Sequence, residues 1–424
     1  MHKTDPLKRL FHHTRRFAAK KWFNYIRPYT IGITGSMGKT YTTYILSKLY
    51  KNAIVTDLNL DTIYNIPITA LKLTKNSKLA IFEYGIDQVG EMNKHLQIAK
   101  PNVVIVTGIT GVHTDSEHLG SLENLIAEKR KLVECLKEDD YAILNYDDEN
   151  VRNMATHTKA KVVFFGSDPS KCAITFNPQE TKLSLNGTTF EVTDQEEGLT
   201  FKLKTKLFGT QFVYNLMAAY LTYKLIESRN ESYKVVIIWQ FEDIISKIQP
   251  LKGRMSFEKI AGYEVLDDSL RSNPSSIKNG LETFSQIELS PKQRKIIVLG
   301  EMGELGSTQT AEHESLGKYI SKMNQFDYYI GIGPLQELSI NSAVKNGLNK
   351  DKTFYTKNAI EAGLALKQYL EKGDVIYLKG SLLRHMERII MTISQEGVNC
   401  DVVSCPLYNS CRVCKFRYSN YSSK

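Results

Sequence analysis

A chain of 424 residues is long enough for two or three domains with sizeable cores, and 42% hydrophobic with 24% charged residues is the balance of a water-soluble globular protein. No apolar run approaches the ~20 residues of a membrane span, the first residues lack the apolar core of a signal peptide, and six cysteines are too few for a disulfide scaffold; a reducing cytoplasm is expected. The net charge of +9 is concentrated at the start, where residues 1–27 hold eight Lys and Arg against Asp5 alone.

Residues 1–28 form a basic arm. Leu7, Leu10, Phe11, Phe17, Ala18, Trp22, Tyr25 and Ile26 recur at roughly helical spacing, which predicts an amphipathic helix. Such a helix either packs on the first domain or lies against an anionic membrane or a protein partner. Nucleic-acid binding would need a basic patch with stacking aromatics on a recognisable module, and the sequence holds none.

Residues 29–250 read as a central domain. The β-branched run Tyr29–Ile33 ends in Gly35-Ser36-Met37-Gly38-Lys39-Thr40, and a helix follows from Tyr41 to Tyr50. Glycines let the backbone fold into a nest whose N–H groups face phosphate oxygens, and the helix N-terminus adds its positive end. Lys39 can then reach the outer phosphates of a nucleotide and the Thr40 hydroxyl can bind Mg²⁺. The strict phosphate-loop pattern wants glycine where Ile33 stands, and here the glycines fall at 32, 35 and 38.

Further strands are predicted at Leu79–Phe82, followed at once by Glu83, at Asn102–Thr107 and at Tyr141–Asn145, with helices from Gly90 to Ala99 and from Ser121 to Leu136. Strand and helix alternating at this spacing predict an α/β fold with a mainly parallel sheet covered on both faces. In such sheets ligands bind beyond the carboxyl ends of the strands, where Gly35–Thr40, Glu83 and His113 fall. Residues 160–207 read as an antiparallel flap, with helices again from Gln211 to Glu227 and through the 230s and 240s. Gln249–Gly253 is the predicted linker, and residues 251–395 read as a second, open α/β domain with strands near 263–267, 295–299, 327–331 and 374–378. In the tail, 396–424, Cys400, Cys405, Cys411 and Cys414 follow a C-x4-C-x5-C-x2-C spacing outside the preceding pattern. Four thiolates suit tetrahedral Zn²⁺; four free thiols are the alternative.

Taken in order, these motifs resemble the Mur ligases, most closely the branch that adds D-alanyl-D-alanine to the murein precursor. The resemblance rests on Gly32–Thr40, Glu83-Tyr84-Gly85 with Gly90-Glu91-Met92, Lys100-Pro101 through His113, Gly120-Ser121 to Lys129, Leu144–Asp148, Asn215, Gly253-Arg254, Asp267-Asp268-Ser269 with Asn273-Pro274, Leu299–Met302 and Lys379-Gly380-Ser381. It implies an ATP- and Mg²⁺-dependent enzyme that activates a carboxylate as an acyl phosphate and joins it to an amine, acting on small peptide or amino-acid substrates. It implies Thr40 and Glu83 as ligands of one Mg²⁺, His113 as ligand of a second with His118 as competitor, and Lys129 as a carbamylated lysine. Asn215 is expected near the adenine, Arg254 at the phosphates or ribose, and Asp268 and Asn273 on the ribose side. The family usually carries about 100 residues that hold a UDP-linked substrate ahead of the first strand. Only 28 residues stand there in this sequence, so either the substrate is held differently, or a partner or membrane contact through the basic arm replaces that domain.

Overall fold

The computed structural model describes residues 6–57, 62–110, 119–227, 234–303, 305–407 and 409–419. They form two compact units, Met1–Thr181 with Thr188–Thr205 and Gly209–Ile248, and Lys182–Gly187 with Lys206–Phe208 and Gln249–Lys424.

The first unit opens with helix α1 (Pro6–Ile26), then β1 (Tyr29–Thr34), α2 (Lys39–Leu49), β2 (Ile54–Val55), α3 (Thr62–Leu71), β3 (Leu79–Glu83), α4 (Glu91–Leu96), β4 (Val103–Val106), α5 (Leu122–Glu134), β5 (Tyr141–Asn145), α6 (Glu149–Arg152), β6 (Lys161–Gly166) and β7 (Ile174–Phe176). After β8 (Lys182–Ser184), which falls in the second unit, come β9 (Gly187–Asp194), β10 (Leu199–Thr205), α7 (Thr210–Glu227) and α8 (Lys234–Lys247). The sheet runs in the order β10-β9-β7-β6-β5-β4-β1-β3-β2. From β2 to β7 all pairs are parallel, which explains why the central strands are buried β-branched runs rather than alternating ones. Only the β7–β9–β10 edge is antiparallel. The flap expected over residues 160–207 therefore starts later than its sequence suggests. The short helical segment Glu149–His157 is the crossover that lets β6 join β5 in parallel.

Helix α1 packs into this unit. Ala19 and Phe23 are buried with Ile66, Ala70, Leu73 and Phe82. Two hydrogen bonds tie it to α3 and to the turn that follows it. Pro67 has no N–H to offer the Ile63 carbonyl one turn back, and Arg16 Nη1 donates to that oxygen at 3.4 Å. At the other end Trp22 Nε1 donates to Leu73 O at 2.7 Å.

The second unit comprises β11 (Ser256–Ile260), β12 (Tyr263–Asp268), α9 (Pro274–Ser285), β13 (Lys295–Gly300), α10 (Gln309–Met323), β14 (Tyr328–Ile332), α11 (Pro334–Lys345), β15 (Thr353–Thr356), α12 (Ala359–Tyr369), β16 (Val375–Lys379) and α13 (Glu387–Ile393). Its sheet order is β11-β12-β16-β13-β14-β15. The β11–β12 hairpin is antiparallel and turns at Ala261 and Gly262, both at positive φ, the backbone a tight hairpin needs. The remaining pairs are parallel. Residues 396–419 return along α13, where Arg388 Nη1 donates to Val402 O at 2.7 Å and Arg412 pairs with Glu396 at 2.8 Å. Among the described residues no helix is long and apolar enough to cross a membrane.

Candidate active site

The turn after β1 is closed to any side chain at two of its positions. Gly35 (φ +147°) and Gly38 (φ +86°) hold backbone conformations that favour glycine. A Cβ at Gly35 would sit 2.0 Å from Thr107 Oγ1, and one at Gly38 would sit 2.4 Å from Asn215 Oδ1. The loop is held from the neighbouring strand end: Ser36 N donates to Gly108 O at 2.7 Å, Ser36 Oγ to Thr110 O at 2.9 Å, and Thr107 Oγ1 to the Met37 carbonyl. Gly38 is the N-cap of α2 and brings no side chain to cover it, so the first N–H groups of the helix face the loop. That geometry suits a phosphate cradle, although Ile33 breaks the strict motif. Gly32 serves packing instead, since a Cβ there would press on Pro101 and Tyr84 at 3.0 Å.

Two lysines meet at this cradle. Lys39 Nζ and Lys129 Nζ each donate to the Gly35 carbonyl at 2.8 Å. Lys129 is only 3% exposed, and burial, with the Lys39 charge added, holds its pKa well below the ordinary lysine value; Asp87 and Glu83 oppose the shift. Its neighbours in the run Glu128–Lys131 behave otherwise. Lys131 pairs with Glu128, and Arg130 pairs with Glu134 at 2.7 Å. Read alone, Lys129 looks like a surface charge on its helix; the fold buries it because it continues the stripe Leu125, Leu132, Val133.

The carboxylate comes from β3. Register pairs Ile33 with Glu83, which brings Glu83 level with the loop, and Thr40 Oγ1 donates to Glu83 Oε1 at 3.2 Å. Thr56 Oγ1 accepts from Glu83 N at 3.1 Å and Asn65 Nδ2 donates to Glu83 O at 3.3 Å, so the strand end is fixed on both sides. Two hard oxygens side by side next to a phosphate cradle are a fitting donor pair for Mg²⁺. His113 and His118 lie outside the described residues. Thr107, which shapes the cradle, and Asp87, which faces Lys129 electrostatically, are not singled out by the sequence reading; both lie just past strand ends, the position where such sheets hold their ligands.

In the second unit Asp268 ends β12, and its Oδ2 accepts from Lys379 Nζ at 2.7 Å and Tyr377 OH at 3.0 Å. Lys379 begins the Lys379-Gly380-Ser381 motif, so two quoted motifs meet here through an ion pair. Asn273 caps α9, accepting from Ser276 N at 2.8 Å, with the reciprocal bond from Asn273 N to Ser276 Oγ at 3.1 Å. Arg254 N donates to Leu251 O at 3.0 Å, just after Gly253 at φ +71°. Asp267 is buried, and that raises its carboxyl to about 6 against two hydrogen bonds from Ser269 that pull the other way.

The tail gathers its thiols. Cys400, Cys405 and Cys411 are buried, Cys414 is half-buried, and all four line one cavity of about 10 Å³ together with His385 and Arg388. Arg388 Nε donates to Cys411 Sγ at 3.1 Å. Among the described residues, His385, Glu387 and Cys411 form a group whose ligating atoms lie within 4.8 Å of one another.

Residues 33–223 match the Mur ligase middle domain, and residues 253–382 match the Mur ligase, glutamate ligase domain. The chain is 26% identical to the UDP-N-acetylmuramoyl-tripeptide–D-alanyl-D-alanine ligase of Bacillus subtilis (strain 168), over 90% of this chain and 79% of that protein. It is 25% identical to the ligase of the same name from Escherichia coli (strain K12), over 87% and 77%. In fold it is similar to MurF from Thermotoga maritima in complex with ADP, with a TM-score of 0.75, 21% identity, and 91% and 84% of the two chains covered. A pseudomurein peptide ligase type C from Methanothermus fervidus shares the fold at a TM-score of 0.63 with 18% identity, over 87% and 79%. With a phosphate cradle, a lysine pair and a carboxylate assembled in the middle domain and both domain types present in order, the chain belongs to the Mur ligase family and is an ATP-dependent peptide ligase.

Proposed function

We propose that this enzyme acts in the cytoplasm and joins the carboxylate of a cell-wall peptide precursor to an amine, as its relatives are named for ligating a UDP-N-acetylmuramoyl tripeptide and D-alanyl-D-alanine. The observation that carries this reading is the pair Lys39 and Lys129 on one carbonyl beside Thr40 and Glu83. ATP supplies the phosphoryl group that activates the carboxylate, and Mg²⁺ offsets the charge of the two anions that must meet. The Gly35–Gly38 backbone and the α2 N-terminus hold the phosphates, and Lys39 turns from Gly35 O to the outer oxygens where negative charge develops. Thr40 and Glu83 hold the cation. Water is kept from the activated carboxyl by the buried surroundings of Lys129 and Thr107.

Lys129 is read as carbamylated. A buried amine held neutral can add its lone pair to CO₂ and release a proton, and the carbamate oxygen then serves as an anionic ligand. Its burial and its depressed pKa support that step. His113 is read as a ligand of the second Mg²⁺, with His118 in competition. For the nucleotide, Asn215, whose Oδ1 packs against Gly38, is read as the residue near the adenine, and Arg254, Asp268 and Asn273 are read as the second unit's contribution. The four tail cysteines are read as a Zn²⁺ site, supported by their shared small cavity and by Arg388, which would offset thiolate charge. The exposed Phe11, Phe17 and Tyr25 on the basic helix α1 support a peripheral contact with an anionic surface.

The test is phosphate release. With ATP and Mg²⁺ alone it should be slow, and it should accelerate only when a carboxylate precursor and an amine donor are both present; Lys39→Ala should abolish the acceleration. Rapid hydrolysis indifferent to both would leave a plain ATPase.

A further inference from the structure

The ligase chemistry leaves one half-buried basic group unused. On α1, His12, Arg15 and Arg16 share a face with Ala19 and Phe23, so they point inward, while Phe17, Lys20 and Lys21 point to solvent. Arg15 Nη2 lies 2.9 Å from His12 Nδ1, and its guanidinium sits 4.9 Å from the centre of the Tyr64 ring. The His12 ring stacks on Tyr64 at 4.8 Å. Arg16 reaches Ile63 O, as described above. Yet Arg15 Nε and Arg16 Nη2 are buried without a hydrogen-bond partner, and among the described residues neither arginine forms an ion pair with a carboxylate. Glu91 acts on Arg16 electrostatically, but its Oε2 is taken by Asp87 N at 2.7 Å and Gln88 N at 3.2 Å. A third orphan stands close by. His95 Nδ1 is buried and without a partner, and burial together with the Arg16 charge holds the ring neutral, with its pKa down at about 4.

Each buried N–H left unmade costs ~1–3 kcal/mol, and two adjacent guanidinium groups repel each other besides. A fold gains nothing from that arrangement unless an anion completes it. Guanidinium forks match tetrahedral phosphate oxygens in pairs, and His12, whose Nδ1 accepts from Arg15, can offer its Nε2–H beside them. Position says what the anion belongs to. Arg16 contacts Ile63 of α3, and Asn65, two residues on, contacts the backbone of Glu83. The cation cluster thus sits against the same helix, α3, whose Asn65 fixes the backbone at the end of β3.

We propose that His12, Arg15, Arg16 and Tyr64 bind the phosphate group of the carboxylate substrate's carrier. The word substrate rests on the ligase reading; the phosphate site does not. Such a phosphate comes from one of two sources, the diphosphate of a nucleotide-linked peptide or the headgroup of an anionic lipid, which the exposed Phe11 and Phe17 would then approach.

The experiment uses the full chain with saturating non-hydrolysable ATP analogue and Mg²⁺, so that the phosphate loop is already filled. Calorimetry with UDP and with inorganic pyrophosphate is one arm; co-sedimentation with phosphatidylcholine vesicles with and without phosphatidylglycerol is the other. Binding is expected in one arm, weakened at least tenfold in the Arg15→Gln, Arg16→Gln double variant. Without ligand the variant should keep a cooperative melt close to that of wild type, since it relieves the repulsion between the two guanidinium groups while losing the Arg16–Ile63 hydrogen bond. Binding in neither arm, or equal binding by the variant, overturns the proposal. So does a lower melting temperature with binding unchanged, which marks a merely structural role. No turnover is needed for these readings, so they stand or fall apart from the ligase assignment. Conversely, an active ligase whose KM for its carboxylate substrate is the same in the double variant overturns the phosphate site alone.

Discussion

Two lysine side chains on one carbonyl oxygen define the site at the residue scale. Lys39 belongs to a recognisable loop; Lys129 is hidden among charges, and only its i+4 relation to Leu125 and Val133 could have marked it as buried. If it is carbamylated, Lys129→Ala should lower kcat by ~10²-fold or more, since it deletes an anionic ligand. Formate or acetate should restore part of the rate in steady-state assays; a fully active variant removes Lys129 from the site. Asp267 makes a prediction of opposite flavour. Its folded pKa is raised from 3.8 to about 6, so the folded state holds the proton more tightly than the unfolded chain. The cost is absent below pH 4, grows as pH rises, and is full above 6. Asp267→Asn keeps an acceptor for Ser269 while losing the charge. It should be more stable than wild type at pH 7.5 by on the order of 1–3 kcal/mol in denaturant melts, with the gap closing towards pH 4. Thr107 was illegible for a simpler reason: a threonine ending a Val-Ile-Val run reads as one more strand residue, and its role exists only because Gly35 is brought against it.

At the scale of elements, helix α1 shows where sequence pattern stops. Its spacing gives a helix with two apolar sides, and the choice between core and surface depends on a partner the pattern does not reveal. That partner, α3, carries Pro67 in its interior and so reads as a break, whereas the fold tolerates the proline because Arg16 takes up the carbonyl contact. The strands β1, β3 and β4 were legible as apolar runs because parallel strands are buried on both faces. The parallel placement of β6 was not, since it depends on the few helical residues after β5 that look like an acidic turn. The tail is legible as a cysteine cluster, and the fold adds the cavity around it and the His385–Glu387 pair beside Cys411. Protein purified without added metal should contain one zinc per chain, and Cys411→Ser should lower that content sharply. Near-zero metal with four freely titrating thiols would leave a reduced, metal-free knot.

On the scale of the whole molecule, two α/β units each place their charged residues at the carboxyl ends of parallel strands. The first gathers Thr40, Glu83, Lys39 and Lys129. The second locks Asp268 to Lys379 and leaves Arg254 beside the turn at Gly253. That division of labour suits a reaction in which a nucleotide must be spent only when carboxylate and amine are both in place. The most direct measurement is stoichiometric: ADP formed against amide product, counted by mass spectrometry, with cell-wall peptide precursors crossed against D-alanyl-D-alanine and single amino acids. One ADP per amide bond, with neither formed when carboxylate or amine is withheld, is the predicted result. ADP accumulating while no carboxylate in the panel gains an amide would contradict the ligase assignment.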